Sequence, residues 1–295
     1  MYSSYDYLKK LKLKPNKDYY ADEVTNKIQV NILPDASYKS SLTEINEVTC
    51  YIDKSTDRYS IVKDKKLNMY DMISGQVEFV VFNTKKPYLA SKEVRKAIAY
   101  GIDTERIIRK SYASDAVLTD SLYYPNFLGV LDTGGMNEYD YDKASQMLTK
   151  AAIKDFDGDG FLEDVYGNRI TLTILVKKSN AQRVSACKNI AKNMETLGFK
   201  VDVKALPSNQ YKQAMASRNF DLLVAGCDME ETYDLREFFN GKNDWGYYNA
   251  ELLTKSRELE RLYTEEKQQQ KYTQMKDALL DEMPYYALCY KKMGL

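Results

Sequence analysis

The segment most informative about the fold runs from Ile170 to Asp228 and reads ITLTILVKKSNAQRVSACKNIAKNMETLGFKVDVKALPSNQYKQAMASRNFDLLVAGCD. In two segments, 170–176 and 199–205, apolar residues alternate with other residues, which is the pattern of a half-buried strand. A third segment, 220–225, is almost continuously apolar, as expected of a strand that is buried on both faces. The sequence therefore predicts three strands of one sheet.

Two helices are predicted between these strands. Asn180 is placed to cap the first helix, Gly198 to end it in the left-handed conformation, and Ser208 to cap the second. The apolar residues that recur at helical spacing in the first are Val184, Cys187, Ala191 and Met194. The order β-α-β-α-β predicts parallel strands, and ligands of such sheets lie beyond the carboxyl ends of the strands.

An acidic group follows the third strand, where a ligand is expected. The residues there are Gly226, Cys227, Asp228, Met229, Glu230 and Glu231. No base lies near Cys227 in the sequence, which favours a small buried thiol over a nucleophile. The carboxylates Glu230 and Glu231 leave a carboxylate-dependent hydrolase as an alternative, although adjacent residues of an extended segment point apart.

The composition of the chain narrows the classes of function. Its 295 residues include 43 Lys and Arg, 43 Asp and Glu, and no histidine. Without histidine there is no Ser-His or Cys-His pair, no imidazole base and no His-ligated zinc, which disfavours an enzyme. The net charge of zero provides no overall basic excess for phosphates, so no nucleic-acid partner is expected.

A second candidate site precedes the first of these strands. Asp155, Asp157 and Asp159, followed by Gly160, match the start of an EF-hand loop, in which alternating acidic side chains wrap a calcium ion. These three aspartates are therefore the candidate metal ligands.

The end of the EF-hand pattern is missing from this loop. Its twelfth position holds Tyr166 in place of glutamate, so Glu163 or Asp164 would have to replace that ligand in a different geometry. A polar turn between a helix and a strand is the simpler interpretation, and a calcium-binding surface module is the alternative.

Segments along nearly the whole chain resemble one protein family in their order and spacing. They are Asn16 to Tyr20, Lys27 to Asp35, FNTKKPYLASKEVRKAIAYGIDTERII from Phe82, YDYDKASQMLTKA from Tyr139, DFDGDGFLED from Asp155 and GYYNAELLTKSRELE from Gly246. The set resembles the extracytoplasmic solute-binding proteins of ABC transporters, in family 5, whose members bind peptides and, in some cases, nickel complexes.

The resemblance implies an α/β, periplasmic-binding-protein-like fold. Two lobes with parallel or mixed sheets flanked by helices would be joined by a hinge, and one lobe would be incomplete in this chain. Residues 1–83 and 280–295 would form part of lobe I, and residues 84–279 the ligand-binding lobe II. The chain shows no export signal, which we expect in a missing N-terminal portion. The expected location is extracytoplasmic, in the periplasm or at the cell surface as a lipoprotein.

The resemblance also implies a set of ligand-binding residues. In peptide-binding members an Asp just after a buried strand pairs with the terminal ammonium of the ligand, and Asp228 matches it. Trp245 and Tyr247 fall where the family has an aromatic residue near the cleft, although ordinary core packing explains them equally well. The candidate ligand-binding residues are Asp228, Cys227, Met229, Trp245, Tyr247 and Tyr286.

The sequence thus predicts a monomeric binding protein that needs no cofactor. It would capture an extended solute, most simply a short peptide, by hinge closure and deliver it to the permease subunits of an ABC importer. A nickel chelate or another solute of the same family is the alternative within this class. The calcium-binding surface module and the carboxylate-dependent hydrolase are the alternatives from other classes.

Overall fold

The computed structural model describes residues 2–7, 9–16, 18, 26–32, 41, 48–55, 58–59, 63, 68–129, 138–229, 234–259, 261 and 264–295. The chain divides into two compact units, Met1–Met72 with Met293–Leu295, and Ile73–Lys292. These limits differ from the predicted lobe limits at residues 83 and 280. The lobe assignment stays a prediction.

The first unit contains a small antiparallel sheet. Its strands are β1 (Tyr2–Asp6), β2 (Lys10–Leu13) and β3 (Ile28–Asn31), in that order across the sheet. Lys10 pairs with Asn31 and Leu13 with Ile28. Apolar side chains of β3 are exposed, with 53% of Ile28 and 43% of Val30 accessible to solvent. This sheet therefore does not bury both of its faces within the described part of its unit.

The second unit is built on a six-stranded mixed sheet. Its strands are β4 (Asp71–Phe82), β5 (Ala116–Leu118), β6 (Thr171–Lys177), β7 (Lys200–Leu206), β8 (Leu222–Asp228) and β9 (Tyr285–Gly294). Their order is β5-β9-β4-β8-β6-β7. Strand β6 pairs in parallel with β7 and β8, whereas β4 pairs with β8 in the antiparallel sense. The predicted parallel β-α-β-α-β arrangement is confirmed.

Helices connect and cover these strands. They are α1 (Lys92–Tyr100), α2 (Thr104–Ser111), α3 (Tyr141–Lys150), α4 (Ala181–Thr196), α5 (Ser208–Ala216), α6 (Arg236–Phe239), α7 (Ala250–Glu258) and α8 (Glu265–Glu282). The predicted cap is confirmed for α4, where the Asn180 side chain accepts a hydrogen bond from Arg183 N. Among the described residues, no helix is long and apolar enough to cross a membrane.

The predicted N-cap of the second helix in residues 170–228 is wrong. Pro207 occupies the cap position of α5, and Ser208 is the first helical residue. The Pro207 side chain has no oxygen to accept a backbone hydrogen bond, and its fixed φ suits the entry to a helix. By contrast, Gly198 adopts φ +99° after α4, as predicted.

The core of the second unit lies on both faces of the sheet. Leu222 and Val224 of β8 pack with residues of α1, α2 and α4, whereas Leu223 and Ala225 pack with residues of α6, α7 and α8. Leu222, Leu223 and Val224 are fully buried. Burying a leucine or valine side chain contributes roughly 1.5–3 kcal/mol, so this strand anchors the sheet. The prediction of a strand buried on both faces is confirmed.

Candidate ligand-binding site

The candidate site lies at the carboxyl end of β8, beside the first half of β4. Asp228 pairs in register with Gln76, and the backbone N of Met229 donates to the carbonyl of Gly75 at 2.8 Å. Because β6 and β7 run parallel to β8, their carboxyl ends lie at the same edge of the sheet. The structure therefore places Asp228 at the edge where the sequence predicts a ligand.

The three predicted residues at the end of β8 divide between two environments. Cys227 and Met229 are half-buried and pack against the cluster that contains Leu223, and their sulfur atoms lie 3.8 Å apart. The Asp228 side chain is exposed, and along a strand its direction is opposite to that of Cys227. A carboxylate at this position is accessible to a ligand.

Burial and the neighbouring charges make Cys227 a poor nucleophile. Burial, followed by the nearby Asp228 carboxylate, raises the pKa of the Cys227 thiol to about 11. The thiol therefore stays protonated at neutral pH, and only the thiolate is reactive. This agrees with the prediction of a small buried thiol.

A buried ion pair lies next to the end of β8. Glu78 of β4 is fully buried, and its carboxylate binds Arg183 of α4 through two hydrogen bonds, from Nε at 2.6 Å and from Nη2 at 3.0 Å. The Tyr112 hydroxyl donates to the same carboxylate at 3.3 Å. Burial lowers the pKa of the Arg183 guanidinium, but hydrogen bonding and attraction to Glu78 outweigh it and leave the pKa raised. The pair joins α4 to the sheet.

Gly226 provides the space for this pair. A Cβ atom at this position would lie 2.4 Å from Arg183 Nη2, 2.7 Å from Val77 O and 2.8 Å from Glu78 Oε1. Each distance is shorter than a real Cβ contact, so any side chain here would displace the pair or the strand. The sequence analysis missed Glu78 and Arg183, although a glycine within an apolar strand is a signal of close approach.

The predicted aromatic residues pack in the core on one face of the sheet. Trp245 packs against Phe79 with ring centroids 5.5 Å apart, and Tyr247 against Tyr285 at 5.8 Å. The Tyr247 hydroxyl accepts a hydrogen bond from Asn249 Nδ2 at 3.2 Å. Cys227 and Met229 pack against the same cluster, so the structure brings these four candidate residues to one side of the sheet.

Tyr286 is separated from that group by the sheet. Tyr285 and Tyr286 are neighbours in β9 and pack in the clusters on opposite faces. Tyr286 is only 2% exposed, and its hydroxyl lies 2.7 Å from Thr104 Oγ1. The structure thus does not bring Tyr286 together with Trp245 and Tyr247. Glu230 and Glu231, the carboxylates of the hydrolase alternative, lie outside the described residues.

The three candidate metal ligands lie together in the loop between α3 and β6. Carboxylate oxygens of Asp155, Asp157, Asp159 and Glu163 all lie within 4.8 Å of one another. Asp164 is not part of this cluster. Hydrogen bonds from the backbone and side chain of Asn168 lower the pKa of the Asp164 carboxyl. Glu163 and Asp164 are the two residues that could replace the missing glutamate of the EF-hand pattern, and of these Glu163 lies in the cluster.

The sequence matches a known family. A model described as bacterial extracellular solute-binding proteins, family 5 middle, matches residues 1–246. The oligopeptide-binding protein AppA of Bacillus subtilis is 24% identical over 296 residues, which cover 95% of this chain and 53% of that protein. The dipeptide-binding protein of Escherichia coli is 28% identical over 127 residues, which cover 42% of this chain and 23% of that protein. The chain spans about half the length of AppA.

Solved structures show the same fold. The substrate-binding protein CtaP of Listeria monocytogenes has a TM-score of 0.75 at 18% identity, covering 100% of this chain and 60% of that one. AppA of Bacillus subtilis, solved with a nonapeptide, has a TM-score of 0.70 at 20% identity, covering 100% of this chain and 61% of that one. The predicted α/β fold of the two-lobed periplasmic binding proteins, incomplete in this chain, is confirmed. The chain belongs to the bacterial extracellular solute-binding proteins of family 5.

Proposed function

We propose that the protein is the substrate-binding component of an ABC importer and that its solute is a short, extended peptide. The observation that carries this proposal is the family match over residues 1–246. The curated relatives AppA and the dipeptide-binding protein are named for binding peptides. The site adds an exposed carboxylate at the sheet edge where ligands of such folds bind.

The chemistry of the edge suits a peptide with a free terminal ammonium. Asp228 offers the carboxylate for a charge-assisted hydrogen bond, and the backbone near it offers partners for an extended chain. Met229 is half-buried beside it and is adaptable in shape, which suits peptides of differing side chains. Direct contact with the solute is assigned to Asp228 on one face of β8 and, at the end of the strand, to the half-buried Cys227 and Met229 on the other.

The other candidate residues support the site from within the core. Trp245 and Tyr247 belong to the same apolar cluster that Cys227 and Met229 pack against, on one side of the sheet. Tyr286 acts from the opposite face, where its hydroxyl meets Thr104 Oγ1. These three residues are therefore positioning residues in the proposal.

Binding proceeds by closure of two lobes over the solute. Lobe I includes residues 1–83 and 280–295, and lobe II residues 84–279. A solute that contacts both lobes only when they are closed shifts the population towards the closed form, which the permease subunits recognise. The protein acts as a monomer outside the cytoplasm, in the periplasm or as a lipoprotein at the cell surface.

The test is to identify the bound solute and then to titrate it. Native mass spectrometry of the full-length protein is expected to detect copurified short peptides. Recovery of a nickel chelate or of another solute would overturn the peptide assignment.

The role of Asp228 is tested with matched ligands and variants. Asp228→Asn is expected to weaken binding of a free-amine peptide by roughly tenfold or more, since a hydrogen bond to a charged group is worth about 1.5–3 kcal/mol. N-acetylation of the peptide should weaken binding to the natural protein equally. Asp202→Asn, at an exposed carboxylate in β7, is the control. Unchanged affinity of the Asp228 variant would remove this residue from the site.

A further inference from the structure

The loop between α3 and β6 gathers more negative charge than its neighbours balance. Arg169 is ion-paired with one of its four clustered carboxylates, Asp159, and also lies 4.3 Å over the ring of Phe161. The ammonium of Lys154 lies 4.8 Å over the ring of Phe156. Carboxylates within 4.8 Å of one another repel, and a cation placed among them would reverse that repulsion.

Glu163 gives the cluster a feature that a polar turn does not need. This residue is only 3% exposed, and its Oε2 accepts a hydrogen bond from Phe156 N at 2.8 Å. Its Oε1 is buried and has no hydrogen-bond partner within the part of the chain that the structure describes. A buried carboxylate oxygen without a partner is costly, because its hydrogen bonds to water are lost and no hydrogen bond within the protein replaces them. A metal ion would supply the missing partner.

The backbone holds Glu163 in this position. Its N–H donates to the carbonyl of Lys154 at 3.0 Å, and the residue forms bridges with both Lys154 and Arg169. Gly158 and Gly160 have φ of +80° and +89°, so the loop turns back on itself at positions where other residues would be strained. Main-chain pairing therefore fixes the position of Glu163 beside the aspartates.

The geometry points to a calcium site formed by Asp155, Asp157, Asp159 and Glu163. Calcium binds six to eight oxygen ligands in a flexible geometry, and its sites combine carboxylates with backbone carbonyls and water. The acidic residues at the first, third and fifth positions of the EF-hand pattern are kept. The glutamate expected at the twelfth position is replaced by Tyr166, and Glu163 at the ninth position supplies a carboxylate instead. Magnesium fits less well because it demands near-ideal octahedral geometry and dehydrates reluctantly.

Calcium at this site would stabilise one end of the second unit. Leu162, next to Glu163, is packed in the core, and its N–H donates to the carbonyl of Gly198 at 2.8 Å. Its own carbonyl accepts from Ile170 N at 2.9 Å, just before β6. Closing the loop around an ion would thus hold the start of β6 against the turn between α4 and β7.

The test is a calcium titration of the chain after removal of metal with EDTA. Calorimetry is expected to give a Kd on the order of 10⁻⁴–10⁻³ M, the range of extracellular calcium modules. At ten times that Kd the melting temperature should rise by about 3 °C, and an equal concentration of magnesium should raise it less. Absence of heat up to about 10 mM calcium, or an equal response to magnesium, would overturn the assignment.

Two variants locate the ion. Glu163→Gln keeps the shape of the side chain and should weaken calcium binding by roughly tenfold or more, because it removes the buried charge. Asp157→Asn, at an exposed position of the cluster, should weaken binding as well and decides the question if the first variant does not fold. Asp202→Asn is the control and should bind as the natural chain does. Natural affinity in both cluster variants would place the ion elsewhere and overturn the site.

Discussion

Two acidic sites of the second unit differ in how their negative charge is balanced. Glu78 is buried on β4 and meets a cation of the same chain, Arg183, in a two-bond geometry. The loop at residues 155–163 collects four carboxylates, and the buried Oε1 of Glu163 is left without a hydrogen-bond partner among the described residues. The first site is complete when the chain folds, whereas the second has a place for a cation from solution. Stability at the first site is therefore supplied by the chain itself, whereas at the second it would depend on the proposed ion.

The largest effect is expected from removing the internal cation. Arg183→Met would leave Glu78 buried without its charge partner, and breaking a buried pair in this way costs about 3–5 kcal/mol. Urea denaturation followed by circular dichroism measures the change in the free energy of unfolding. The double variant Glu78→Met with Arg183→Met is the control and should recover most of the loss, because replacing both partners by apolar groups is often neutral. A loss of stability in the single variant below about 1 kcal/mol would contradict this view of the pair.

A smaller effect is expected from adding one methyl group beside the pair. Gly226→Ala would bring a Cβ to 2.4 Å from Arg183 Nη2 and should reduce the free energy of unfolding by about 1–3 kcal/mol. Gly75→Ala is the matched control at the same edge, where the nearest atom to an added Cβ is Met229 O at 3.3 Å. We expect the control to lose less stability in the same denaturation experiment. Equal losses of stability in the two variants would contradict the view that the ion pair requires a glycine at position 226.

The thiol beside Asp228 reports on charge at the candidate site. Because the carboxylate of Asp228 helps to raise the pKa of Cys227, Asp228→Asn should lower that pKa and increase the thiolate fraction. Alkylation of Cys227 by iodoacetamide at about pH 9 should become a few times faster, with burial still the larger obstacle. Mass spectrometry of tryptic peptides measures the rate, and the exposed Cys50 is the internal control. An unchanged rate at Cys227 would contradict the electrostatic coupling.

The smallest effect is expected at an ion pair on the surface. Asp281 of α8 lies 2.6 Å from Lys92 Nζ and 2.7 Å from Lys96 Nζ, and its side chain is 56% exposed. Hydrogen bonds from Lys92 and Lys96 lower the pKa of the Asp281 carboxyl to about 2. Solvent screens such a pair, so Asp281→Asn should change the free energy of unfolding by less than about 1 kcal/mol.

The pH dependence of this surface pair follows from the sign of the shift. Because the pKa of Asp281 is lower in the folded state, its contribution is present above the unfolded value of about 3.9. The contribution decreases as the pH falls towards about 2, where the folded carboxyl takes up its proton. Thermal melts at pH 5 and pH 2.5 should therefore differ slightly more in the natural chain than in Asp281→Asn. A large difference between the two proteins at pH 5 would contradict the screening argument.

Local patterns in the sequence predicted the fold of residues 170–228. Alternation and a continuous apolar run identified β6, β7 and β8, and Asn180 and Gly198 marked the limits of α4, because these signals act within a few residues. The start of α5 was missed because Ser208 is a common cap, while the structure uses the fixed φ of Pro207 instead. The family resemblance, rather than periodicity, indicated the class of function.

The charged partners at the candidate site could not be predicted from local patterns. Glu78 and Arg183 are 105 residues apart in the sequence, and neither local segment indicates that the two residues pair. Two signals were nevertheless present, a glutamate within an apolar strand and a glycine at residue 226 of another. Tyr286 lies on the opposite face of the sheet from Trp245 and Tyr247, and the sequence position of a strand alone does not show which face a side chain occupies.

The position of β8 between β4 and β6 has a consequence for the dynamics of the site. The first residues of β8, Leu222 and Leu223, pair with both β4 and β6 and are fully buried, so their amides are expected to be among the slowest to exchange with solvent. Asp228 ends this strand in register with Gln76 of β4, so its backbone is already held in the sheet before any solute arrives. In the proposed complex, little of the binding free energy is spent on ordering Asp228, so affinity depends mainly on the fit of the solute.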